Sequence, residues 1–182
     1  MSCDITSGFN LGCRDNVGGI EQIYILSGSV TTYTEFSTGL LSGITGSGVF
    51  YTFELPRNVG DLTETVNASL ENGTVFYTQT LNVGFHKLQS SIRNQVKVLA
   101  QNPELKIIVK TNNGTSDYIG QYFLLGRYRG ATLSAGTGAT GTAFGDANQY
   151  SLTFETTEPQ PMWEVKTTLG ALSTALSGIT IA

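Results

Sequence analysis

The sequence predicts a mainly β protein with one flanking α-helix, and three observations predict it. Leu62, Glu64, Val66, Ala68 and Leu70 alternate with Thr63, Thr65, Asn67, Ser69 and Glu71, the period of a half-buried strand. Asn72-Gly73 follows, a dipeptide that tolerates the positive φ angles of a two-residue hairpin turn. The period then changes once: Leu88, Ile92, Val96 and Leu99 recur at helical spacing, until Asn102-Pro103 stops the helix because proline disfavours a helical residue before it. These signals place a long central hairpin over 61–85 and a helix over about 87–101 that lies across the hairpin's apolar side.

A two-residue turn at Asn72-Gly73 sets a register in which Leu70 faces Val75, Ala68 faces Tyr77, Val66 faces Gln79 and Leu62 faces Val83. The first strand's apolar positions then share a face with Val75, Tyr77, Leu81 and Val83. Thr63, Thr65, Asn67 and Ser69 share the other with Phe76, Thr78, Thr80 and Asn82. That second face carries hydroxyls and amides with no Lys or Arg. It is unusual for a solvated strand face, which commonly carries Lys and Glu that block edge pairing. A polar, base-free wall suits the inside of a channel along which DNA slides, because no phosphate is held by a fixed cation. An ordinary solvent face is the alternative.

Before the hairpin, Met1 to Gly19 has no clear period and reads as an arm. Ile20–Leu26 and Val30–Phe36 read as short strands joined by Ser27-Gly28-Ser29, and Val49–Leu55 as a third, ended by Pro56. Gly39, Gly43, Gly46 and Gly48 mark the stretch between as a flexible loop. After the helix, Leu105, Ile107 and Val109 alternate with Lys106, Ile108 and Lys110, and Asn113-Gly114 predicts a second hairpin. Its register sets Lys110 against Asp117 and Val109 against Tyr118, with Tyr122 and Leu124 returning on the apolar face. A strand continues or restarts at Gly126. The Gly- and Ala-rich stretch from Ser134 to Ala147 reads as a loop, and Gln149–Thr157 as a strand ended by Pro159 and Pro161. Residues from about 160 to 182 read as an extension holding one further strand, for about eight to ten strands in all.

The 182 residues fit one domain spanning 1–182, with the arm over about 1–19 and the extension over about 160–182. Charged residues make up 13%, about half the ~25% usual in soluble domains, while Gly reaches 22 residues and Thr is commoner still. Low charge with abundant Thr and Gly suits a β protein whose surface is covered by other copies of itself, and is also frequent in secreted β-domains. A net charge of −4 argues against a dedicated nucleic-acid binder, which needs a basic footprint. Cys3 and Cys13 are too few for a disulfide framework and match no common zinc spacing, so they read as unpaired small residues. No signal-peptide core is apparent, and the segment from Leu169 to Ala182 is too short and too rich in Ser, Thr and Gly to span a bilayer; the chain is expected to be soluble, with no membrane partner.

Motifs that could carry chemistry are weak. Gly136-Thr-Gly-Ala-Thr-Gly141 has the spacing of a nucleotide loop but is followed by Ala143-Phe-Gly-Asp146 and a strand rather than a helix. His86 is the only histidine and has no ligand or triad partner in sequence. No acids form a recognisable acid/base pair, although glycosidase carboxylates can come from distant strands. The Asn-x-Ser/Thr patterns at Asn67, Asn72 and Asn113 read as chance products of an Asn/Thr-rich chain. Neither a catalytic residue nor a cofactor or metal is expected.

Four stretches together carry a resemblance. They are Cys13-Arg-Asp-Asn-Val-Gly-Gly-Ile-Glu-Gln-Ile-Tyr-Ile25, Asn72-Gly-Thr-Val-Phe-Tyr-Thr-Gln-Thr80, Leu99-Ala-Gln-Asn102 and Gly145-Asp-Ala-Asn-Gln-Tyr-Ser-Leu-Thr-Phe-Glu-Thr-Thr-Glu-Pro159. The chain resembles tail-tube and tail-ring structural proteins of tailed bacteriophages, especially crAss-like and related phages of Bacteroidota. The resemblance implies a β-sandwich or split barrel with a flanking helix. It further implies subunits that form rings, typically hexameric, stacked into a tube that conducts DNA during ejection. The implied partners are other copies of the chain, other phage tail proteins and DNA passing non-specifically. The implied location is the virion, after synthesis in the host cytoplasm. Hairpin edges would pair between subunits so that the barrel closes only in the ring, with Thr63, Thr65, Asn67, Thr78, Thr80 and Asn82 facing the lumen and the helix outside. The Gly39–Gly48 loop, the arm and the extension would make ring-to-ring contacts. The hairpin face departs from many such channels in having few acids. Competing readings are another virion protein, such as a head decoration or fibre, and a carbohydrate-binding module with Tyr and Trp on a concave sheet.

Overall fold

The computed structural model describes residues 16–113, 121–167 and 172–182, together with Gly8. The described elements run β1 (Ile20–Ser37), β2 (Leu40–Glu54), β3 (Asp61–Ser69), β4 (Thr74–His86), α1 (Ser90–Gln101), β5 (Ile107–Thr111), β6 (Tyr122–Leu125), β7 (Thr132–Ala139), β8 (Gln149–Glu158), β9 (Trp163–Val165), a 3-10 turn (Leu172–Ala175) and β10 (Leu176–Ile181). The protein is mainly β. Strands β1, β5, β6, β9 and β2 follow one another and close into a barrel because β1 also pairs with β2; β10 lies parallel along β2. Beside the barrel stands an antiparallel four-stranded sheet in the order β3-β4-β8-β7.

Two cores explain the pattern of apolar residues. Tyr24, Leu26, Phe50, Ile108, Leu124, Trp163 and Val165 fill the barrel. Ile23, Ile25, Ile107, Val109 and Leu125 point the other way and meet Leu81, Val83, Leu152 and Phe154 of the sheet. Successive residues of β1 and β5 thus enter different cores, so Ile23-Tyr24-Ile25-Leu26 and Ile107-Ile108-Val109 are unbroken apolar runs. The helix follows Lys87, whose φ is +70°, and ends where Asn102 turns extended before Pro103. Leu99 is buried and Val96 packs against the same core, beside Phe85 and Leu152.

Several expectations are corrected. The Gly39–Gly48 stretch is not a loop: after the Thr38-Gly39 turn it is strand β2, paired along β1 from Gln22↔Glu54 to Ser37↔Leu40. Its glycines serve close approach. A Cβ on Gly28 would lie 2.1 Å from the Ser47 carbonyl oxygen, and one on Gly46 would lie 2.2 Å from that of Ser29. This hairpin, not 61–85, is the longest element. Ser134–Ala139 is likewise strand rather than loop, forming most of edge strand β7. The supposed C-terminal extension supplies β9 and β10, with Trp163 and Val165 buried in the barrel.

Both hairpin registers also differ. Leu62 faces Leu81, Val66 faces Tyr77 and Ser69 faces Thr74, so the connection is the four residues Leu70–Gly73. Only Gly73 has positive φ there, and Ser69 Oγ accepts a bond from the Asn72 N–H, a local turn that competes with the tighter one. The slip is two residues, so the faces survive. In the second hairpin Lys110 faces Tyr122 and Ile107 faces Leu125, an odd offset that turns Tyr122 and Leu124 into the barrel. Lys110 instead pairs with Glu21 at 2.8 Å. Asp117, Tyr118, Cys3, Cys13 and the arm up to residue 15 apart from Gly8 lie outside the described residues.

A polar clamp joins barrel and sheet. The Glu158 carboxylate accepts from the Tyr128 and Arg129 N–H groups and from Thr156 Oγ1, while Lys106 Nζ donates to the Gly126 carbonyl at 2.7 Å. Burial holds the Lys106 ammonium below its ordinary pKa. The bend so fixed aims Arg127 across the Trp163 ring at 3.8 Å and the Tyr128 ring at 4.8 Å, and onto Glu35 of the outer β1–β2 hairpin at 2.6 Å. Beside it, burial pushes the Tyr33 hydroxyl up to about 12. Glu35 is half exposed, so the stacking outweighs the ion pair. Arg127→Ala is expected to lower stability by about 2–3 kcal/mol in urea denaturation, and Arg127→Lys to recover less than half of that, since an ammonium lacks the stacking plane. A loss below ~0.5 kcal/mol for the alanine variant would mean that the clamp is idle.

Candidate functional site: a base-free sheet face between two open edges

The six residues singled out in the sequence share one face of the four-stranded sheet. Thr63 faces Thr80, Thr65 faces Thr78, and Asn67 faces Phe76; Asn82 faces Asp61. β8 extends the face, because Thr78, Thr80, Asn82 and Gly84 pair with Thr157, Glu155, Thr153 and Ser151. β7 completes it with Thr132, Ala135 and Thr137, opposite Glu155, Thr153 and Ser151. The opposite face is the one that enters the core through Leu81, Val83, Leu152 and Phe154.

Hydrogen bonds run sideways across the strands. Asn67 Nδ2 donates to Thr78 Oγ1 at 3.0 Å, Asn82 Nδ2 to Asp61 Oδ2 at 3.2 Å, and Thr153 Oγ1 to Asn82 Oδ1 at 2.9 Å. These bonds tie β3, β4 and β8 together side to side. No Lys or Arg occupies a paired position on this face, whereas Asp61 and Glu155 do. The result is a weakly acidic surface with no Lys or Arg to grip a phosphate, closed at the end of β4 by the exposed His86. Half of it was missed in the sequence. The alternation of Gln149, Ser151, Thr153, Glu155 and Thr157 with Tyr150, Leu152 and Phe154 was the available signal, but only pairing reveals that these polar positions continue the hairpin's.

The expectation that neighbours complete both sides of the hairpin fails on one side: β4 is paired along Tyr77–His86 with β8 of its own chain. Among the described residues β3 and β7 each have one partner strand and are the sheet's two edges, with a single bridge between Leu105 and Ala131 at the start of β7. Its two ends also carry apolar groups. Val66, Leu70, Val75 and Phe76 are exposed around the 70–73 turn, and Phe144 is fully exposed in the loop at the other end.

Other candidates resolve into structure. The GxGxxG stretch crosses from β7 into a turn whose Asp146 carboxylate accepts the Thr142 and Ala143 N–H groups at 2.8 and 2.7 Å, bonds that hold this carboxyl below its ordinary pKa. His86 is exposed at the end of β4, and among the described residues no group of three or more His, Cys, Asp or Glu is placed to hold a metal ion. Trp163 is buried beneath Arg127, not on a concave sugar-binding face. Among the described residues no helix is long and apolar enough to cross a membrane. Comparison with known proteins gives no match to a protein-family model, to a curated protein or to a solved structure.

Proposed function

We propose that the chain is a non-catalytic structural protein of a bacteriophage tail, which assembles into stacked rings around a conduit for DNA. The observation that carries this reading is the open sheet. Four antiparallel strands in the order β3-β4-β8-β7 place β3 and β7 in opposite directions. A neighbour rotated about an axis running roughly along the strands keeps its β3 direction, so its β3 continues the ladder antiparallel to β7. Repeating that head-to-tail step closes a ring and leaves no free edge on this sheet. In the hexamer that the resemblance implies, the wall would hold about 24 strands, above the roughly 16–18 that already leave an aqueous channel in porins. The Thr/Asn face would line the lumen, the core-facing side would carry the barrel and α1 outside, and DNA would slide past Asp61 and Glu155 without being held.

Negative-stain microscopy of the purified chain with rotational averaging tests the assembly: rings with a central hole are expected, and a trimer without one would favour a decoration or fibre protein. Orientation is read by thiol labelling in a background with Cys3 and Cys13 replaced by serine. In assembled rings Thr78→Cys should react with a bulky maleimide on the order of ten-fold more slowly than Lys97→Cys on α1, because the lumen restricts entry. Equal rates in rings would place the Thr/Asn face outside.

A further inference from the structure

The two most exposed large apolar residues of the described chain, Leu70 and Phe144, mark opposite ends of one sheet. Leu70 opens the turn between β3 and β4, flanked by exposed Val66, Val75 and Phe76. Phe144 lies in the loop between β7 and β8, at the end of the sheet where His86 pairs with Gln149. Along the 13 residues of β4 the ends lie roughly 40 Å apart at ~3.3 Å per residue. They point opposite ways along the strand direction, so no copy can bring its own two ends together.

We propose that the Leu70 turn of one copy docks against the Phe144 loop of a second copy, stacking copies head to tail along the strands. Charge favours this pairing over like ends meeting. The turn itself carries Glu71 and no base, with Arg129 set back beside Glu158 at the end of β8. The Phe144 end carries Lys87 and Arg93, and its acid Asp146 is already engaged by two backbone N–H groups. Those bonds, with Asp146 N–H to the Ala143 carbonyl, also hold Phe144 in a preformed turn, so little ordering is required on docking. A contact using different patches on the two partners leaves each stack with one unused end of each kind and so grows linearly. The inference deepens the ring reading and rests on it: lateral edge pairing builds each ring, and this contact joins rings.

The test uses the full chain with Leu70→Glu and Phe144→Glu. Each variant alone is expected to form single rings, with mean tube length in micrographs down about ten-fold or more. Mixing preformed rings of the two variants should yield capped ring pairs and nothing longer, since only one productive junction is left. Both side chains are solvated, so wild-type melting temperatures are expected; if a glutamate variant melts lower, Leu70→Ser and Phe144→Ser take its place with the same outcomes. Wild-type tube lengths in either variant, pairs formed by one variant alone, or no pairs on mixing would overturn the contact while leaving the rings standing. A wild-type chain that stays monomeric would instead sink the ring reading and the stacking with it.

Discussion

Proline at one of the two neighbouring positions Thr65 and Val66 is expected to abolish rings while leaving the fold intact. Consecutive residues of an antiparallel strand point their N–H groups alternately toward and away from the partner strand. On β3, whose one partner among the described residues is β4, every second N–H therefore faces the open edge. Proline at the outward position removes a donor that no strand among the described residues uses. Across a ring junction the same change removes a ladder bond and inserts ring atoms. At about 3 kcal/mol this weakens each junction ~100-fold. Proline at the inward position instead breaks the β3–β4 ladder and lowers the melting temperature. Sedimentation velocity together with thermal denaturation separates the two cases. Thr137→Pro and Gly138→Pro on β7 should show the same contrast. Rings that persist when either edge is blocked at its outward position would show that the sheet does not close by edge pairing.

Gly28→Ala is expected to cost about 3 kcal/mol or more, against about 1 kcal/mol for Gly39→Ala. Gly28 has φ +148°, and a Cβ there would sit 2.1 Å from Ser47 O and 2.7 Å from the Gly48 Cα, backbone atoms that cannot swing aside. The β1 and β2 backbones would have to separate in the middle of the longest hairpin, next to Leu26 and Phe50 of the barrel core. Gly39, in the turn, has φ +84° but nothing within 4 Å of the added atom, so only backbone strain remains. Urea denaturation measures both variants as a shift in midpoint at constant slope. A flexible loop would respond in the opposite sense, since alanine restricts the unfolded chain more than the folded one. A neutral or stabilising Gly28→Ala would therefore remove the glycine-lined strand pairing from the account.

Local chemistry carried much of the fold. The alternation through Asp61–Phe85, the helical spacing from Ile92 to Leu99 and its stop at Pro103 each depend on near neighbours and stand where their residues place them. The helix opens at Ser90, leaving Leu88 before it, and packs by β7 rather than across the β3–β4 hairpin, a placement set at long range. The polar face of the hairpin was legible for the same reason. Side chains alternate with period two, so even a wrong turn length that slipped the register by two left Thr63, Thr65 and Asn67 beside Thr78 and Thr80. The odd offset in the second hairpin had no such protection and reversed Tyr122 and Leu124. Sequence could not rank two cores against each other, and the unbroken run Ile107-Ile108-Val109 fits both.

Glycine gave the other misreadings, because a residue without a Cβ signals equally a free loop and two backbones in contact. Only the partner strand distinguishes Gly46 beside Ser29 from a mobile linker, and that partner is set by chain folding at long range. The same holds for the candidate site. Local alternation was enough to show a row of hydroxyls and amides without Lys or Arg on one hairpin. Tertiary structure alone decided that β8 and β7 double its width, that Trp163 belongs to the barrel interior, and that β3 and β7 are left as edges, because strand neighbours depend on which faces the two cores bury rather than on residues adjacent in the chain.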